Sequence, residues 1–205
     1  EAWKTALTLG CANVTDWIDE AVMDEINHYA AHSIATIVAC LRTDQLPKRL
    51  LDAITDKNDP GDDGQLLRQM GLIEIARSCS SRAAFEALLR FGLTNEGNVL
   101  LSTVDAITDV AIARLEKGDA DIIDRILEAT TPQNEHRHRV AAISVFCRLC
   151  IVNRVSLGHF TRLWELVNAD DLDNYARCEA MEAIGLIDSA AATAWCEAIK
   201  DIARE

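Results

Sequence analysis

The stretch LLSTVDAITDVAIARLEKG, residues 100–118, decides the class of this chain. Leu100, Val104, Ile107, Ala111 and Leu115 recur every three or four residues, so their side chains line one face of an α-helix, and Gly118 follows as a stop. The same spacing returns in Val140, Ile143, Cys147 and Cys150. Period-two alternation between hairpin turn signals is absent at any useful length, so no strand is required.

Helix starts are expected where the stripes resume. Thr15 precedes Trp17 and Ile18, Ser81 precedes Phe85, Leu88 and Leu89, Ser156 precedes Phe160, Leu163 and Trp164, and Ser189 precedes Trp195 and Ile199. Each hydroxyl can accept from the free amides of a first turn. Gly92, Gly118 and Pro132 mark the ends. Between these signals the chain reads as helical pairs over residues 1–24, 25–57, 65–94, 98–130, 135–168 and 174–205. That spacing lies in the range of helical-repeat proteins. The interruption is the polar loop 56–64, Asp56-Lys57-Asn58-Asp59-Pro60-Gly61-Asp62-Asp63-Gly64.

The segments Gln65–Ile75 with Arg82–Phe91, and Arg137–Cys150 with Leu157–Val167, resemble the helical hairpins of the HEAT and armadillo-like repeat family. The likeness is one of pattern and extends over nearly the whole chain. The Trp-Leu-Gly-Tyr pattern of tetratricopeptide repeats and the Thr-Pro-Leu-His pattern of ankyrins are missing. The resemblance implies an all-α fold, a right-handed α-α superhelix or solenoid of about five to six antiparallel hairpins, occupying residues 1–205 as a single repeat domain. It also implies a surface for binding other proteins, since that is what most of the family supplies.

Composition narrows the function. The 205 residues are 49% hydrophobic, sufficient for a substantial core, and no run reaches the ~18 apolar residues of a membrane span. Seven cysteines, an odd number set mostly among apolar residues, suit small buried hydrophobes in a reducing compartment, and the cytoplasm is the expected location. The opening Glu1-Ala2-Trp3-Lys4 lacks a secretory layout and a Met, which fits a fragment of a longer polypeptide. A formal net charge of −13 repels phosphate backbones and anionic lipid, so neither nucleic acid nor membrane is an expected partner. A protein partner, and a basic one in particular, suits that charge. The oligomeric state is left open.

Several clusters place chemistry-bearing side chains close together in the sequence. Asp24, His28 and His32 share a helical stripe and could ligate zinc, but the Glu of a zinc-protease motif is missing. The 56–64 loop offers Asp56, Asn58, Asp59, Asp62 and Asp63 to calcium; Pro60 and Leu67 stand where an EF-hand needs ligands. Cys147 and Cys150 have redox spacing yet share the apolar stripe of Val140 and Ile143, which marks them as core. Glu135-His136-Arg137-His138-Arg139 opens a helix with the densest basic cluster, and Arg137, His138 and Arg139 are the expected contact patch for an acidic group. At least three of Trp3, Trp17, Trp164 and Trp195 are expected to be substantially buried, whereas Tyr175 would matter if exposed.

No Gly-rich phosphate loop, Gly-x-Ser-x-Gly elbow or His-Glu metal dyad occurs, so no catalytic residue and no cofactor is expected. Helical-repeat hydroxylases carry His-Glu pairs, absent here, and helical-repeat DNA glycosylases need a cationic groove. The leading expectation is a non-enzymatic scaffold or adaptor. The alternatives are a regulatory or sensor region of a larger protein, an acidic inhibitor of the immunity type, and an enzyme with a dispersed site that gathers groups such as Asp105, Asp109 and Glu182.

Overall fold

The computed structural model describes residue 35, residues 48–55, 63–91, 98–134, 136–152 and 158–187, and residues 190, 193, 194 and 197. Among the described residues there is no strand. Among the described residues eight helices have defined bounds, in order α1 Lys48–Thr55, α2 Asp63–Ser78, α3 Arg82–Phe91, α4 Asn98–Glu116, α5 Asp121–Ala129, α6 His136–Ile151, α7 Gly158–Val167 and α8 Asn174–Ile187. The quoted stretch is the body of α4. Helix α2 starts at Asp63, so the last two residues of the expected 56–64 loop are helical; the earlier ones lie outside the described residues.

The chain divides into two compact units, Glu1–Asp119 and Ala120–Glu205. This division runs through the 98–130 pair read from the sequence, between α4 and α5. Helix α4 places its apolar face on α2 and α3, whereas α5 packs on α6. In the first unit each helix touches the next and the one after it: α1 meets α2 and α3, α2 meets α3 and α4, and α3 meets α4. Its core is made by Leu72, Ile75, Phe85, Leu88, Val104, Ile107 and Val110. In the second unit α6 packs on α5 and α8, and α7 packs on α8. Ile122 and Ile126, Ile143 and Phe146, and Leu163 and Val167 are buried there. Burying each such side chain contributes about 1.5–3 kcal/mol.

The cap and stop signals are realised where they are described. The Ser81 hydroxyl accepts from the Ala84 amide at 3.0 Å, an N-cap for α3. At the other end of α4, the Gly118 amide donates to Leu115 O at 3.0 Å and the Asp119 amide to Arg114 O at 3.1 Å, the paired bonds of a Schellman motif. Gly118 takes φ +96°, a left-handed conformation, and a methyl group there would meet nothing within 4 Å. The cost of Gly118→Ala is therefore backbone strain alone, and a loss of about 1 kcal/mol in chemical denaturation is expected. The Arg114 guanidinium closes the turn, donating from Nε to Asp119 at 2.8 Å and from a terminal nitrogen to Ser80 O at 3.2 Å.

Helix α6 differs from an ordinary surface helix. From Arg139 to Cys147 every residue is buried, and apart from Arg139 and Ser144 this stretch is apolar on all sides. Ser144 lies inside this stretch and its Oγ makes no hydrogen bond. Removing an unpaired buried hydroxyl relieves its desolvation penalty, so Ser144→Ala should raise stability by about 1 kcal/mol in urea titrations.

Candidate partner-binding surface

The basic run that opens α6 does not act as one patch. Arg139, expected to face a partner, is instead turned inward: its side chain is 6% exposed. Its Nε donates to Thr130 O at the end of α5 at 3.0 Å, and its two terminal nitrogens grip the Asp171 carboxylate, one of them at 3.2 Å. Burial of the surrounding α6 face draws the stem in, and the planar guanidinium matches both carboxylate oxygens. His136 is exposed, with Nε2 3.7 Å from an Asp173 oxygen, and His138 is half-buried. The side chain of Arg137 lies outside the described residues.

The loop ahead of α8 holds residues that sequence reasoning missed. Asp171 pairs with Arg139, and Asp173 accepts from the Tyr175 amide at 2.7 Å, capping α8. Arg177 donates from one terminal nitrogen to Ala169 O at 3.0 Å and to Leu172 O at 3.4 Å. The hydrogen bond and charge of Arg139 hold the Asp171 carboxyl below the usual aspartate range, and His136 adds to that pull. Asp173 could have been found from its place just before α8. Asp171 carried no local signal, because Arg139 lies 32 residues away.

The first unit has a matching pair: Arg77 Nε donates to Asp109 at 2.6 Å, again over 32 residues, linking α2 to α4. Asp109 is thus committed to an ion pair. Asp105 and Asp109 belong to the first unit and Glu182 to the second. Elsewhere Arg82 pairs with Glu86, Arg125 with Glu128 and Arg162 with Glu165. These three arginines answer acids within the same helix.

Cys147 and Cys150 are both buried. Burial pushes the Cys147 thiol up, helped by the nearby Cys150 and Glu179, and lifts Cys150 to about 12. Neither offers a thiolate at neutral pH. Cys178 is exposed. A maleimide applied to the native protein should label Cys178 within minutes and spare Cys79, Cys147 and Cys150 until denaturant is added, as read by peptide mass spectrometry. Rapid labelling of Cys147 would contradict its placement.

Asp24, His28 and His32 lie outside the described residues, as do Trp3, Trp17 and Trp195; Trp164 is half-buried and Tyr175 exposed. Among the described residues no group of three or more His, Cys, Asp or Glu is placed to hold a metal ion. None of their helices is long and apolar enough to cross a membrane. A scan against protein-family models and searches of curated proteins and of solved structures find no match to this chain.

Proposed function

We propose that the chain is a HEAT-like stack of helical hairpins, a solenoid, that binds other proteins through an acidic surface and performs no catalysis of its own. The contact pattern of the first unit supports the stack, because each helix touches its neighbour and its next-but-one neighbour, as successive hairpins do. The observation that carries the binding reading is the charge arrangement. Arg77, Arg82, Arg114, Arg125, Arg139 and Arg162 are paired with carboxylates of the same chain, while the whole carries −13. The unbalanced charge left facing outward is anionic, which steers basic partners and makes encounter fall with salt. Buried free thiols at Cys79, Cys147 and Cys150 support a reducing compartment, the cytoplasm.

The test is affinity capture from native cell extract at low and at high salt, with mass spectrometry of what is retained. A stoichiometric protein released by salt supports the reading. Retention that ignores salt, or recovery of no protein under either condition, counts against it.

A further inference from the structure

Tyr175, Cys178, Glu182 and Leu186 follow one another along α8 at spacings of three and four residues and so form a single stripe. All four are exposed. Tyr175 is 45% exposed and Leu186 62%, the latter the most exposed large apolar side chain among the described residues. The opposite face, Ala176, Ala180, Ala183 and Ile184, is the one α8 buries. At 1.5 Å per residue the two apolar anchors stand roughly 16 Å apart, three turns of helix. Charge along α8 is one-sided. Its single cation, Arg177, is bound to the Ala169 and Leu172 carbonyls, while Glu182 lies in the outward stripe and Glu179 on the flank near Cys147.

We propose that this face of α8 docks a cationic amphipathic helix from a partner protein; the inference rests on the protein-binding reading above and gives it a place. A docking helix carrying apolar residues at i, i+4, i+7 and i+11 spans the distance from Tyr175 to Leu186, and lysines or arginines beside them meet Glu182 and Glu179. A second copy of this chain fits poorly, because a two-fold contact centred on the stripe brings Glu182 against Glu182 if the helices run parallel and against Glu179 if they run antiparallel. Anionic lipid is repelled by the same groups.

The probe is a fluorescent synthetic peptide with leucines at i, i+4, i+7 and i+11 and lysines on either side, titrated with the full chain and followed by anisotropy. A scrambled peptide of identical composition is the control. The patterned peptide is expected to bind about tenfold more tightly than the scrambled one. Leu186→Asp should weaken it about tenfold and Glu182→Lys about fivefold, with a shallower salt dependence, while Asp124→Lys, at an exposed position of α5, leaves it within about twofold. Circular dichroism confirms that each variant is folded. Equal binding of the two peptides, or equal loss with Asp124→Lys, overturns the α8 site and leaves the general acidic-surface reading standing. Failure of both peptides to bind at low salt removes both. A concentration-dependent dimer abolished by Leu186→Asp would assign the face to a second copy and overturn the proposal.

Discussion

Phe146→Ala is expected to destabilise the protein by about 3–5 kcal/mol, the largest single-residue effect in the second unit. The ring is fully buried at the centre of α6, and it meets His159 of α7 edge-on, with centroids 6.2 Å apart and planes at 73°. Truncation forfeits the burial of the ring and leaves a cavity. Relaxation into it is limited, because residues Arg139–Cys147 are all buried and none is free to swing in from solvent. Phe146→Leu retains most of the volume and should cost less than about 1.5 kcal/mol. Urea denaturation followed by circular dichroism reads both, and equal midpoints for wild type and Phe146→Ala would remove Phe146 from the core.

Arg139→Ala is the second large effect, a loss of about 2–3 kcal/mol. Three donated bonds go at once, one to Thr130 and two to Asp171, along with the packing of a buried stem. The half-exposed Asp171 can regain water, which keeps the loss below that of a wholly buried pair. Arg139→Met preserves the stem and should recover part of it.

The same pair predicts a pH dependence of defined sign. The folded carboxyl of Asp171 is held below its unfolded value, first by the hydrogen bond from Arg139 and also by its charge. Its contribution is therefore complete above the ordinary aspartate range and is lost as pH falls through the depressed folded value. Asp171→Asn should be less stable than wild type near neutrality, and the difference should close in acid. A difference that stays constant into acid would contradict the pairing.

What was legible in the sequence was local. Ser81 caps α3 because the hydroxyl oxygen of a serine just before an apolar stripe accepts from a free amide of the first turn, and Gly118 stops α4 because only glycine takes φ +96° without strain. The stripe Val140, Ile143, Cys147 and Cys150 placed two cysteines in the core by periodicity alone. Arg139 was opaque for the opposite reason. A basic residue in a helix-opening run looks solvated unless its partner is known, and Asp171 lies 32 residues away. The division between α4 and α5 was hidden too, since an apolar stripe shows that a face will be covered but not by which neighbour. On α8 the exposed Tyr175 and Leu186 become meaningful only when the buried alanines opposite them are seen.

Small-angle X-ray scattering of the full chain in dilute solution tests the proposed stack of hairpins. A stack of hairpins offering an extended binding surface predicts a radius of gyration well above the roughly 17 Å of a compact domain of this length, with a skewed distance distribution. A value near 17 Å with a symmetric distribution would contradict the stack, and with it the extended surface on which the proposed function depends.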